Sequence, residues 1–414
     1  MERTATGRRT TTIAGVAAAA TAALALSACD LPATANTSAA RPESPTTSPA
    51  EPAHTEPPRE LEDGDGNRWI RVSQVTEWSA ERTVEEEVDT PKDDIMEMTD
   101  EELAEQLRPI ALIDGWQYEA ADAPIQLARD MKSGAAERYD LGDEGNDGGR
   151  PVEREEAESG PDVATRLAAA GGVARLPTAI LGCCDNRELR RDNTSWPFAP
   201  HVQFNVACSA TLIGPSTATS VAHCFMDKSG KWRSLATWAP GVDAQDANPT
   251  PFGSWLGCYV PVIRKGWQTK HSFTYDYAVV EFSNYYPGNC DLFPGNAAGW
   301  LGWWQWSADV ITDGRPGYVY GYPAEKAPYP QIWGHGCKGS GCFDVDGSDE
   351  IEYFTIDTTG GQSGAAFYQK SSVGDRYVVG SHQGSFDPAI GPLRNRARRI
   401  DGSYADLIRN WSAK

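Results

Sequence analysis

The chain has 414 residues, 40% hydrophobic and 23% charged, a globular balance over a length that suits more than one domain. Its formal net charge of -21 is concentrated. Residues 30–179 carry 14 Lys+Arg against 35 Asp+Glu, whereas residues 180–414 carry 20 against 22. So acidic a chain repels phosphate backbones, which argues against nucleic acid as a partner.

Residues 1–29 read as an export signal. Arg3, Arg8 and Arg9 form a positive start, and Ile13 to Leu26 an Ala-rich apolar stretch too short for a comfortable membrane span. The pair Arg8-Arg9 permits the twin-arginine route. Leu26-Ser27-Ala28-Cys29 has the form of a bacterial lipobox, so Cys29 is the expected lipidation site and the only expected membrane link. The alternative is soluble secretion after Ala33-Thr34-Ala35. Residues 30–60, rich in Pro, Ser, Thr and Ala, read as a disordered linker.

Residues 61–179 form an acidic region, expected to be a pro-region or a permanent spacer. Thr99-Asp100-Glu101-Glu102 has the pattern of a helix start, with Leu103 and Leu107 following on one face. Gly142 to Gly149 reads as loop. Glu156 and Glu158 are candidate processing positions within this region.

The texture changes near Ile180. Short apolar runs are cut repeatedly by Gly, Pro, Asn and Asp: His201–Asn205, Ser209–Ile213, Ala218–Ala222, Tyr277–Phe282, Tyr318–Tyr322, Tyr353–Ile356 and Tyr377–Gly380. This pattern predicts an all-β fold, a sandwich or barrels. Trp300, Trp303, Trp304 and Trp306 are expected to pack it. Ser403–Asn410 predicts a closing helix, with Tyr404, Leu407, Ile408 and Trp411 on its apolar side.

Three segments carry candidate chemistry. They are Ser220-Val221-Ala222-His223-Cys224, Asp276-Tyr277-Ala278-Val279 and Thr358-Thr359-Gly360-Gly361-Gln362-Ser363-Gly364. Each is commonplace alone; their order and spacing are not. Histidine, aspartate and serine follow one another 53 and then 87 positions apart. A serine hydroxyl needs a base to take its proton, and the base needs a carboxylate to fix its tautomer. The tetrahedral intermediate needs preorganised donors, for which the N–H groups of Gly361 and Ser363 are placed. Glycine at 361 permits a close, unusual backbone approach.

On these motifs, residues 180–414 resemble the chymotrypsin-like serine peptidases, and within them the bacterial glutamyl endopeptidases of the staphylococcal V8 type. Gly321-Tyr322-Pro323, Asp185-Asn186-Arg187 with Ala199-Pro200, and Gly380-Ser381-His382-Gln383-Gly384 add to the likeness. It implies two six-stranded antiparallel β-barrels with a C-terminal helix. It also implies an endopeptidase acting on proteins or peptides; no cofactor or metal is expected from the residues, and a monomer is. His223, Asp276 and Ser363 would be its triad, and Cys208 the partner of Cys224. Where trypsin has an Asp before the nucleophile to pair with its freed N-terminus, this chain has Gln362, so that activation switch is not expected. Processing by analogy falls near Ala179–Ile180.

Two signals compete for specificity. Asp357 lies six residues before Ser363, where trypsin carries the acid that selects Arg or Lys. Thr358 and His382 match the pair with which glutamyl endopeptidases bind a carboxylate, and are favoured. Asp357 is then free to orient His382 or to accept backbone N–H bonds. Eight cysteines lie beyond residue 180, an even number that argues for disulfides in an exported chain. Cys258–Cys290 and Cys337–Cys342 are the further expected pairs, and Cys183 and Cys184 stay open. No zinc-type ligand spacing occurs. The competing classes are an inactive protease-fold binding protein and an esterase; the complete triad argues against the first, and the lack of a βαβ pattern around the serine against the second.

Overall fold

The computed structural model describes residues 56–63, 66–79, 94–135, 148–149, 178–181, 184–204, 208–234, 237–283, 290, 292–326, 330–347, 349–385 and 394–411. The expected export signal with Cys29, the linker up to residue 55, Glu156, Glu158 and Cys183 lie outside these residues.

The strands are β1 (Glu60–Glu62), β2 (Arg68–Gln74), β3 (Pro109–Ile113), β4 (Trp116–Ala120), β5 (Thr178–Ala179) and β6 (Glu188–Arg190). Next come β7 (His201–Phe204), β8 (Cys208–Leu212), β9 (Thr217–Ser220), β10 (Trp238–Pro240), β11 (Tyr259–Arg264) and β12 (Ala278–Phe282). The rest are β13 (Gly302–Trp303), β14 (Gly317–Gly321), β15 (Ile332–Cys337), β16 (Phe343–Asp346), β17 (Glu350–Tyr353), β18 (Thr358–Thr359), β19 (Ala366–Lys370), β20 (Arg376–Ser385) and β21 (Asn395–Arg399).

Two antiparallel sheets stand where two barrels are expected. The first runs β1-β2-β4-β3-β11-β12-β9-β8-β7-β10. Its last six strands carry the histidine and aspartate segments. The second runs β16-β17-β21-β20-β19-β14-β15-β6, with β13 alongside β20. A small pair joins β18 to β5, with Thr358 opposite Ala179. Most predicted strands appear within one or two residues of their expected ends. Two differ more: the strand expected at Tyr353–Ile356 ends at Tyr353, where the chain bends, and that expected at Tyr377–Gly380 runs on to Ser385.

The sequence divides at residue 180 by texture, but the sheet does not. Strand β3 pairs with β11, placing Ala111 opposite Val262 and Ile110 opposite Ile263. Successive residues of a strand face opposite sides. Ile110, Leu112, Tyr259, Ile263, Ala278 and Val280 enter one core, while Ala111, Ile113, Val260, Val262 and Val279 enter another. Strands apolar on both faces need cover on both, and residues 60–132 supply part of it. The expected helix start is present. Thr99 caps α1 (Asp100–Gln106) in a reciprocal box with Glu102, and Leu103 and Leu107 are fully buried. The second core also joins the two sheets, through Tyr320, Tyr322, Val378 and Tyr404. Trp303 and Trp306 are buried, as packing residues should be.

The closing helix spans Gly402–Trp411. Asp401 accepts from the N–H groups of Ser403 and Tyr404 at its start. The Tyr404 hydroxyl lies 2.8 Å from Ser381 Oγ and donates to the Ser220 carbonyl at 3.1 Å, so the helix touches both sheets. Among the described residues no helix is long and apolar enough to cross a membrane.

Arg264, fully buried at the end of β11, donates to the carbonyls of Leu107 and Ser403, to Tyr277 Oη and to Asp406. It ties the acidic segment, the first sheet and the closing helix together. Arg264→Ala is expected to lower the unfolding free energy by about 3–5 kcal/mol, read by denaturant titration; a loss under about 1 kcal/mol would contradict this role. Nicking the chain between residues 135 and 178 is expected to leave the two pieces co-eluting in gel filtration. Their separation without denaturant would show that the β3–β11 pairing and its flanking cores do not hold them.

Candidate active site

The site forms where loops of the two sheets meet. His223 lies in a short 3-10 turn, Ala222–Cys224, just after β9, and Asp276 immediately before β12. Since β9 and β12 are hydrogen-bonded neighbours, with Ser220 opposite Ala278, residues 53 positions apart are brought together. Asp276 binds His223 twice: Oδ1 accepts its backbone N–H at 2.9 Å, and Oδ2 meets Nδ1 at 2.7 Å. The second contact places the imidazole hydrogen on Nδ1 and leaves Nε2 as the basic nitrogen. Among the described residues Nε2 has no hydrogen-bond partner.

Ser363 sits between β18 and β19 of the other half. Its carbonyl accepts from the Ser209 N–H at 2.7 Å and lies 3.8 Å from Cys224 Sγ. These contacts hold the serine beside the His223 turn, which the Cys208–Cys224 disulfide fastens to β8. Its Oγ lies 3.5 Å from the Gln383 carbonyl. A His223–Ser363 hydrogen bond is not closed here, in keeping with catalytic contacts that tighten on substrate binding.

The loop ahead of Ser363 has the geometry expected of an anion cradle. Gly361 has φ +98°, and a Cβ there would stand 2.5 Å from the Ala324 nitrogen and 2.6 Å from the Tyr322 carbonyl. Ser209 Oγ donates to the Gly361 carbonyl at 2.8 Å and accepts the Tyr322 N–H at 2.8 Å, turning the peptide. Among the described residues neither the Gly361 nor the Ser363 N–H donates to a protein acceptor. Gly364 has φ +86°, and a Cβ would fall 2.1 Å from the Ser209 carbonyl.

The specificity candidates separate. Asp357 accepts the N–H groups of Leu181 at 2.6 Å and Asn186 at 2.7 Å, one on each oxygen. Both oxygens of the carboxylate are thus spent on backbone N–H groups. The carboxylate does not orient His382. His382, fully buried on β20, has Nδ1 against Tyr353 Oη and 3.1 Å from the Arg396 carbonyl. Thr358 is fully buried, and among the described residues its Oγ1 has no partner.

Sequence reasoning missed Gln383. Its Nε2 donates to the Asp276 carbonyl at 2.6 Å and to that of Phe273 at 3.4 Å, while its own carbonyl faces Ser363. One residue thus bridges the acid loop and the nucleophile. Its place one residue after His382 was the available clue. The disulfides Cys258–Cys290 and Cys337–Cys342 form as expected, and Cys184 is exposed.

No family profile matches the sequence. A glutamyl endopeptidase of Bacillus licheniformis is 27% identical over 236 residues, covering 55% of this chain and 67% of its own. Among solved structures, a Glu endopeptidase in complex with MPD aligns over 55% of this chain and 97% of its own, with TM-score 0.43 and 19% identity. The protease Anisep from Arthrobacter nicotinovorans aligns over 49% and 90%, with TM-score 0.36 and 15% identity. The sequence is thus similar to that of serine peptidases of the chymotrypsin-like class, and within them to a glutamyl endopeptidase.

Gly364→Ala is expected to destabilise the protein by at least about 2 kcal/mol, because the new methyl meets the Ser209 backbone carbonyl as well as the buried Ser220 hydroxyl. Thermal unfolding measures it, and an unchanged melting temperature would show that the loop can give way.

Proposed function

We propose that the protein is an exported serine endopeptidase that cleaves after glutamate. His223 is its general base and acid, Asp276 the orienting carboxylate and Ser363 the nucleophile. The observation that carries this reading is the 2.7 Å contact of His223 Nδ1 with Asp276 beside a serine loop whose N–H groups are unspent. In the first step His223 Nε2 takes the Ser363 proton as Oγ bonds to the scissile carbonyl carbon. The N–H groups of Gly361 and Ser363 receive the oxyanion. The imidazolium, stabilised by Asp276, then protonates the leaving amine. Water repeats the sequence to release the acid and restore Ser363.

Glutamate preference rests on Thr358 and His382, a buried hydroxyl without a partner among the described residues and a fixed imidazole. The B. licheniformis relative, named a glutamyl endopeptidase, supports the same preference. Export rests on the basic start, the apolar stretch and the lipobox at Cys29.

The test is hydrolysis of matched peptide substrates ending in Glu, Asp, Arg, Lys or Phe. Cleavage after Glu, abolished by Ser363→Ala with a fall of about 10⁶-fold in kcat, supports the reading. His382→Ala is expected to cost the Glu substrate about 10–100-fold in kcat/KM, the worth of one charge-assisted hydrogen bond. Fast cleavage after Arg or Lys would transfer the pocket to another acid. A folded protein that cleaves none of them would be a binding protein on a protease scaffold.

A further inference from the structure

Besides Ser209, a second side chain holds the loop from Thr359 to Ser363 from outside. Arg187 is only 7% exposed. Its guanidinium donates through Nη1 to Thr359 Oγ1 at 2.6 Å and to Gln362 Oε1 at 3.0 Å. Nε and Nη2 grip Asp185 at 2.9 and 2.8 Å, and Nη2 also reaches Glu325 at 2.7 Å. The acceptors are themselves linked. Thr359 Oγ1 donates to Glu325 Oε2 at 2.6 Å, and Gln362 Oε1 accepts the Thr359 N–H at 3.0 Å. The Gln362 amide donates to the Trp333 carbonyl at 3.2 Å.

We infer that Arg187 is the positioning residue of the nucleophile loop, fixing Thr359 and Gln362 so that the N–H groups of Gly361 and Ser363 converge on the oxyanion. This rests on the proposed role of Ser363. A planar fork of donors suits the task, because four acceptors from three segments must be met at once. A loop that keeps two N–H groups unspent and Gly361 at positive φ has little internal reason to stay open. Burying a guanidinium demands compensating carboxylates. Asp185 and Glu325 provide them, and Lys326, 4.0 and 3.8 Å from the two, balances the group. Burial alone would lower the Arg187 pKa, but these two carboxylates raise it, so the charge persists. All these residues lie at or beyond position 185. The loop is therefore set by an internal cation rather than by an amine that an upstream cut would create, which agrees with the neutral Gln362 before the nucleophile.

The test compares Arg187→Ala, Arg187→Lys and Glu325→Gln with the wild type, using the Glu peptide and the labelling rate of Ser363 by a fluorophosphonate. Arg187→Ala is expected to lower kcat by about 10²–10³-fold with KM changed less than about threefold, because oxyanion donors act on the transition state. Arg187→Lys should fall between it and wild type, since one ammonium cannot span four acceptors. Glu325→Gln, at a partly exposed position that tolerates change, should lower kcat severalfold. Should Arg187→Ala fail to fold by near-UV circular dichroism, the other two variants decide. Folded variants with wild-type kcat, or losses confined to KM, overturn the inference. Ser363→Ala is read separately: if it retains activity, the catalytic reading itself fails, whatever Arg187 does.

Discussion

Asp276 spends both carboxylate oxygens on one residue, the N–H of His223 and its Nδ1. A carboxylate orients an imidazole only if its own backbone is fixed from elsewhere. Here that fixing comes from the opposite sheet, through the Gln383 amide on the Asp276 carbonyl. The same Gln383 faces Ser363 with its carbonyl. The geometry of the proposed site therefore depends on the two sheets keeping one relative position. The shared core of Tyr320, Tyr322, Val378 and Tyr404 with Val262, Tyr277 and Val279 supplies that constraint.

The acidic N-terminal region shows how a charge excess can hide a structural part. Its carboxylates are not all solvated. Glu105 and Glu119 share Lys265 at 2.8 Å each, next to the β11 strand that β3 extends. The weight lies in the apolar alternation of β3 and in Leu103 and Leu107, which share one buried core with Trp267 and Ala222.

At the pocket, two candidate acceptors of specificity are distinguished by what they already bind. Asp357 is saturated by two backbone N–H groups of the segment that precedes the first strands of the protease portion. Thr358, its neighbour, is not.

The three residues of the proposed triad stood out in the sequence because they sit in short motifs whose local geometry does half the work: a histidine next to a disulfide cysteine, an aspartate opening an apolar strand, a serine flanked by glycines. The all-β texture, the capped helix at Thr99 and the closing helix were legible for the same reason, since period and capping are local properties. The role of Asp357 was not, because its partners lie more than 170 positions away. Nor were the bridge made by Gln383 and the grip of Arg187 on Thr359, Gln362 and Glu325, set by contacts more than 100 positions long. The union of residues 60–132 with the first sheet was hidden by their charge. Composition records how many carboxylates a segment carries, and only the tertiary structure decides which strand it covers and which cations meet it. By itself the sequence determined the chemistry available; the packing of two sheets determined which groups were left unspent to perform it.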